Sequence, residues 1–269
     1  MFLNFQNKLE TKISDDFANK GYIIQKISDS KYYNELLDQI YKIFLKKIKP
    51  KKYIKNKTDF LNNIHKYVNK KNINNLRLSV ISEINKSQKY KKLVYLIGKE
   101  LIELIVGNEL AVQKNLNLSI QLPKDETSLL NIHADSFSGE SPFQVVLWIP
   151  LVDVYKTKSM FLLPLKKSLK AIKNLKNRSL QTIYKREKKN MKWLNIKSGE
   201  ILIFSPNILH GNTINKTMET RISLNIRFKG LFTPYNQVKG NDRKLGFFYT
   251  PLNLKSASKI GMKFKFPNI

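Results

Sequence analysis

The rhythm of apolar and polar positions changes near residue 110. Over residues 31–108 apolar residues recur every three to four positions. In YYNELLDQIYKIFLKKI, Leu36, Leu37, Ile40, Ile43, Phe44 and Ile48 fall on one helical face, and Pro50 stops the run. TDFLNNIHKYV predicts a shorter helix with Thr58 as its cap. SQKYKKLVYLIGKELIELIVGN predicts a long amphipathic helix ending at Gly107-Asn108. Ahead of them, DDFANKGYIIQKI reads as a helix end passing into a short strand.

Beyond residue 110 the pattern is that of strands. KNLNLSIQL alternates polar and apolar residues, as a half-buried strand does, and FQVVLWIPLV is a more buried β-branched and aromatic run. SMFLLP, ILHGNT and TRISLNIRFKG predict further strands, and KWLNIKSGEILIFSP predicts a hairpin about Ser198-Gly199. A polar, basic insert over residues 166–192 reads as a long loop or loop-helix. The tail from 230 carries Phe232, Tyr235, Phe247, Phe248 and Tyr249 between basic residues, with no clear period. At least six short strands after a helical half predict helices packed on a β-sandwich or jelly roll. The expected organisation is one domain over residues 1–269: a mainly helical flank at 1–109, a β core at 110–230 and a C-terminal extension at 231–269.

Composition narrows the chemistry. Hydrophobic residues make up 42% of 269, enough for a packed core. The absence of cysteine excludes a disulfide scaffold, zinc-thiolate and iron–sulfur sites and a cysteine nucleophile. Any bound metal must use His, Asp, Glu or backbone oxygen. No signal peptide and no run of roughly 20 apolar residues is evident, so a soluble cytoplasmic protein is expected. The net charge of +29 invites a nucleic-acid reading, but the excess is almost all lysine, which fills solvated positions irrespective of function. Arginine occurs only at 77, 178, 186, 221, 227 and 243. No specific nucleic-acid partner is expected, and assembly into a homo-oligomer stays open.

Three histidines stand in the chain: His65, His133 and His210. His133 and Asp135 form an H-x-D pair in NIHADSF, and His210 follows the strand GEILIFSP. Two imidazoles and one carboxylate can fill one face of an octahedral metal site and leave the other face open. In TRISLNIR, strand alternation puts Arg221, Ser223 and Asn225 on one face and Ile222, Leu224 and Ile226 on the other. An inward Arg221 requires an anionic partner, because an unpaired buried charge is costly. Arg227 reads equally as a second inward arginine or as a solvated edge residue. Asn117 and Gln121 alternate in phase and are candidates to line the interior, or an outward polar face. Trp148 reads as core, His65 as a surface or packing residue, and Asp125-Glu126 as a solvated turn. Ser136 and Phe137, next to the ligand pair, are candidates for substrate contact.

H-x-D, a distal histidine after GEILIF and then Arg-x-Ser resemble the Fe(II)/2-oxoglutarate-dependent oxygenase superfamily, nearest its phytanoyl-CoA dioxygenase-like branch. Residues 115–164, NLNLSIQLPKDETSLLNIHADSFSGESPFQVVLWIPLVDVYKTKSMFLLP, are similar to bacterial oxygenases of sporadic carbohydrate-biosynthesis clusters. The resemblance covers about residues 110–230 by motif. It implies a mostly β fold with flanking helices, the double-stranded β-helix (a cupin-like jelly roll). It also implies Fe(II), 2-oxoglutarate and O2, with release of succinate and CO2. On this resemblance His133, Asp135 and His210 match the metal ligands, and Arg221 matches the co-substrate carboxylate binder with Ser223 as its helper. Gln121 is a further candidate for contact with the co-substrate. The superfamily's halogenases lack the carboxylate that Asp135 supplies, so the resemblance favours hydroxylation or a related oxidation of a small molecule or sugar-containing intermediate. A non-redox cupin-type sugar isomerase or binding protein would keep the triad without needing Arg221. A nucleic-acid-binding or modifying protein ranks behind both.

Overall fold

A computed structural model describes residues 3–51, 56–175, 179–235 and 243–264. Helix α1 (Lys8–Lys20) starts on a reciprocal capping box between Asn7 and Glu10 and ends at Gly21, left-handed at φ 76°. A β-carbon there would lie 2.7 Å from Ile208 Cδ1 and 2.9 Å from Leu165 Cβ, so the turn and the packing both require glycine. Strand β1 (Tyr22–Lys26) follows, as the pattern predicts. Helix α2 (Ser30–Ile48) is capped by Asp29 and stops before Pro50. Helix α3 (Lys57–Asn62) corrects the expected cap. Asn56, not Thr58, accepts from the Asp59 amide, because its side chain sits one residue before the first turn while Thr58 is already inside it. Helices α4 (Ile73–Asn85) and α5 (Gln88–Ile105) complete the helical flank.

The strands are β2 (Leu110–Gln113), β3 (Asn117–Gln121), β4 (Gln144–Pro150) and β5 (Phe161–Leu162). Of the two readings of the basic insert, the helical one fits: the insert carries two helices, α6 (Leu165–Lys173) and α7 (Leu180–Glu187). After it come β6 (Lys192–Trp193), β7 (Glu200–Phe204), β8 (His210–Gly211), β9 (Arg221–Gly230) and β10 (Tyr249–Leu252), then helix α8 (Ser256–Gly261). The larger sheet runs β1-β7-β4-β9-β2-β10, with β3 also paired to β9, and the smaller runs β6-β5-β8. All these strand pairings are antiparallel.

The hairpin expected about Ser198-Gly199 does not form. β6 pairs with β5 in the small sheet, whereas β7 pairs with β1 and β4 in the large one. The chain between them buries Leu194 and Ile196 and bridges Ile196 to Val154. That segment therefore crosses between sheets as part of the core and cannot fold back on its neighbour.

Strand β9 organises the large sheet. β4 pairs with it from Ser223 to Lys229, and β3 and β2 divide its other edge. Its alternation separates two environments. Ile222, Leu224, Ile226 and Phe228 are fully buried in one core with Leu36, Ile40 and Phe44 of α2, Val80 and Ile84 of α4, and Leu101 of α5. Each such side chain contributes about 1.5–3 kcal/mol on burial. The opposite face carries Arg221, Ser223, Asn225, Arg227 and Lys229.

A second cluster, Ile132, Ala134, Phe161, Leu163, Ala171, Ile183 and Leu209, packs α6 and α7 against the small sheet. Ser168 of α6 donates to the Leu163 carbonyl (2.6 Å) and accepts from the Leu209 amide (3.0 Å), fixing the chain next to His210. The described strands form two antiparallel sheets with flanking helices and do not close into a barrel. Among the described residues no helix is long and apolar enough to cross a membrane.

Candidate metal centre and anion pocket

Residues 130–133 run antiparallel beside 210–212. The His133 amide donates to the His210 carbonyl (2.9 Å) and the His210 amide to that of His133 (2.8 Å). Asn212 extends the pairing, donating from its amide to the Leu130 carbonyl (3.0 Å) and accepting from the Leu130 amide at Oδ1 (2.6 Å). This brings the two imidazoles side by side, with ring centroids 4.3 Å apart. Each ring is held by its Nδ1 against a carbonyl two residues back: Asn131 for His133 (2.7 Å) and Ile208 for His210 (2.9 Å). A proton on each Nδ1 leaves Nε2 with its lone pair, turned towards Asp135 Oδ1 at 3.6 and 3.9 Å. The three ligand atoms lie within 4.8 Å of one another. Two imidazole nitrogens and one carboxylate oxygen are a donor set that suits a divalent transition ion.

The protonation of His210 and Asp135 agrees with that use, while that of His133 is drawn the other way by Asp135. Burial pushes His210 down to about 4. Burial also acts to lower His133, but the Asp135 carboxylate and the Asn131 carbonyl outweigh it and raise the group above its ordinary value. Burial acts to raise Asp135, but His133, Arg227 and His210 hold its carboxyl well below the usual range. The carboxylate stays ionised although the residue is buried.

The close approach has a steric condition at Gly211. A β-carbon there would lie 2.8 Å from the Leu130 carbonyl oxygen and 2.9 Å from Phe161 Cζ. The first of these is backbone and cannot swing away. Gly211→Ala is expected to cost about 1–3 kcal/mol through overpacking and to prise His133 from His210. Thermal denaturation would report the first effect and metal titration the second; a variant with unchanged metal affinity would show that the pairing tolerates the shift.

Asp135 is anchored by a residue that sequence alternation left open. Arg227 points inward and donates from Nη2 to Asp135 Oδ2 (2.8 Å) and from Nη1 to Gln113 (3.1 Å). Its Nε lies 3.4 Å from Oε1 of the fully buried Glu140. Glu140 also takes a hydrogen bond from the Tyr249 hydroxyl (2.7 Å) and pairs with Arg243.

Arg221 is buried and has no carboxylate within ion-pair distance among the described residues. It donates to the Ser159 carbonyl (3.2 Å) and to Ser119 Oγ (3.0 Å). Its Nε has no partner, nor do the hydroxyls of Ser159 and Ser223 or the Oε1 of Gln121. Burial pushes the guanidinium down to about 10. The guanidinium Nε and the two hydroxyls are unpaired donors that an anion could satisfy, whereas Gln121 Oε1 is an acceptor. Gln121 faces Arg221 across the strand pair and donates to the Thr213 carbonyl (2.7 Å).

His133, Asp135, His210, Arg221 and Arg227 open onto one cavity of about 530 Å³. Asn117 and Trp148 line it too, so Trp148 is at once buried and part of the wall. Gln121 and Ser223 are not in the wall and stand behind it. Next to the ligand pair it is Ser138, rather than Ser136 or Phe137, that lines the cavity; Phe137 is 43% exposed. Asp125 corrects the solvated-turn reading. It is fully buried and accepts from the Thr127 amide and hydroxyl and the Ser128 hydroxyl (2.7–2.8 Å), shaping the turn from inside. His65 packs half-buried against Thr220, with Nδ1 3.0 Å from its hydroxyl, away from the metal ligands. Glu140, Ser119 and Ser159 carry no signal that distinguishes them in the sequence.

No family model matches the chain, and no curated protein sequence does. Solved structures do. The chain superposes on the non-haem α-ketoglutarate-dependent carbocyclase SnoK from nogalamycin biosynthesis with a TM-score of 0.56 and 12% identity, covering 92% of this chain and 97% of that one. It matches the non-haem monooxygenase ThoJ (TM-score 0.54, 12% identity, 83% and 79% covered). It also matches EvdMO1 (0.56, 14% identity, 82% of this chain and 50% of that one). At these identities the likeness is one of architecture, and the chain has the fold of these proteins.

Proposed function

We propose that this protein is a non-haem Fe(II), 2-oxoglutarate-dependent oxygenase of the phytanoyl-CoA dioxygenase-like branch, acting as a single unit on a small-molecule or sugar-containing intermediate. The observation that carries the reading is Arg221: a buried guanidinium without a counter-ion among the described residues, in the same cavity as a His-Asp-His cluster. A metal-only cupin would need no such residue, so Arg221 weighs against the isomerase alternative. The sugar-containing substrate rests on the resemblance of residues 115–164 to oxygenases of carbohydrate clusters.

Iron with 2-oxoglutarate and O2 supplies the oxidising chemistry when bound, with succinate and CO2 as co-products. His133, Asp135 and His210 would hold the metal. Arg221 would grip the far carboxylate of 2-oxoglutarate as a two-pronged donor, with Ser223, behind the wall, as its helper. Gln121, opposite Arg221, would orient that end of the pocket. Trp148, Val146 and Phe204 form an apolar wall that limits water around the reacting groups. The intact Asp135 favours hydroxylation or a related oxidation.

Anaerobic titration of the Fe(II)-loaded protein with 2-oxoglutarate tests the proposal. A visible metal-to-ligand charge-transfer band is expected in the wild type and is expected to vanish in His210→Ala. Iron binding without the band on saturation with 2-oxoglutarate would remove the co-substrate from the reading.

A further inference from the structure

The arginines of this chain are distributed unlike its lysines. The chain has 43 lysines and six arginines, and among the described residues four arginines (Arg77, Arg221, Arg227 and Arg243) and no lysine line the cavity. Where solvated positions are filled with lysine by default, arginine at the cavity wall selects for the planar fork that binds oxyanions bidentately. Two carboxylates, Asp135 and Glu140, answer Arg227 and Arg243. A divalent cation and dianionic 2-oxoglutarate would cancel each other, so the loaded pocket would keep two positive charges.

Arg221 is assigned to 2-oxoglutarate, which leaves Arg77. It projects from α4, half-buried, and forms no ion pair among the described residues. One nitrogen, Nη2, donates to Asn74 Oδ1 (2.6 Å). Arg77 stands where the main cavity meets an adjoining one of about 310 Å³, which shares Ile120, Thr127 and Ser128 with it. The Thr127 and Ser128 hydroxyl protons are committed to Asp125, so the guanidinium is the charged donor at this junction. Leu78, Leu129 and Leu130 line the same cavity and are exposed, an apolar rim suited to a carbon skeleton.

We propose that the primary substrate bears an anionic oxygen group, a phosphate ester or a carboxylate, which Arg77 binds at the junction of the two cavities. The inference rests on the oxygenase reading for the word substrate, but the anion subsite stands on its own geometry.

The test uses the full chain loaded with redox-inert Ni(II) and saturated with 2-oxoglutarate, titrated calorimetrically with phenyl phosphate, benzoate and benzyl alcohol. Saturable one-to-one binding is expected for at least one of the two anions and not for the neutral alcohol. Binding of phenyl phosphate alone identifies a phosphate ester, and of benzoate alone a carboxylate. Arg77→Gln is expected to weaken that binding by about tenfold or more, as the loss of a charge-assisted hydrogen bond does. Arg77→Lys should retain part of it, and Lys167→Gln, away from the cavity, all of it. Arg77 is half-exposed on a helix, and an unchanged melting temperature in Arg77→Gln would show that the variant folds. Absence of saturable anion binding, equal binding of the alcohol, or full binding in Arg77→Gln would overturn the proposal. If 2-oxoglutarate itself fails to bind while phenyl phosphate still binds through Arg77, the oxygenase reading falls and the subsite remains.

Discussion

Arg221→Met is expected to make the ligand-free protein at least as stable as the wild type, and at the same time to abolish its affinity for 2-oxoglutarate. The two effects share one cause. Arg221 is a buried charge with two neutral hydrogen-bond acceptors and, among the described residues, no carboxylate. Replacing a buried ionic group by an apolar side chain of similar volume is neutral or stabilising by about 1–4 kcal/mol, less the cost of the acceptors it abandons. The Ser159 carbonyl and the Ser119 hydroxyl are those acceptors, so a net gain of about 1 kcal/mol is expected. Loss of a desolvated charge pair with the co-substrate costs about 3–5 kcal/mol, or roughly a hundredfold or more in dissociation constant. Melting curves with and without 2-oxoglutarate measure both. The wild type should gain stability from 2-oxoglutarate and Arg221→Met should not. A variant that is less stable yet still stabilised by 2-oxoglutarate would make Arg221 a structural residue.

Arg227→Met is expected to have the opposite profile, losing stability and metal affinity together. Arg227 holds Asp135 Oδ2 while Oδ1 faces the imidazoles, and its Nε lies against Glu140. Removing one partner from a buried pair costs about 3–5 kcal/mol. Asp135 would then be free to rotate, and loss of a group that orients a ligand weakens metal binding by about 10–100-fold. Arg227→Lys should recover part of the stability but less of the metal affinity, since one ammonium cannot span Asp135, Gln113 and Glu140. Competition with a chromogenic chelator reads the affinity, and denaturant unfolding the stability. Unaltered metal affinity in Arg227→Met would show that Asp135 holds its place without Arg227.

The features legible in the sequence are those set by short-range period. The helical faces of α2 and α5 and the alternation of β9 follow from residue spacing alone. That alternation also placed Arg221, Ser223 and Asn225 on one face. It could not decide Arg227, because period two gives a face but not which strand lies beside it. The neighbours that settle it, Asp135 and Glu140, are 92 and 87 positions away, and no local rule brings them there. Asp125 reads as solvated for a related reason: nothing local shows that the hydroxyls of Thr127 and Ser128, two and three residues on, turn inward on it. The hairpin failed because turn chemistry at Ser198-Gly199 is indifferent to which sheet receives the next strand. The insert stays open between loop and loop-helix in the sequence because its lysines mask a narrow apolar stripe, of which Ala171 and Ile183 reach the core.

The two faces of β9 couple assembly of the centre to correctness of the fold. A one-residue slip of this strand would turn Arg221, Ser223 and Arg227 into the helical core and expose Ile222, Leu224 and Phe228 to the cavity. No state with β9 in the wrong register can keep both the core and the guanidinium groups satisfied. Molecules of this protein should therefore be either competent or unfolded, and recovered activity after refolding should track the folded fraction without a population of inactive native-like forms.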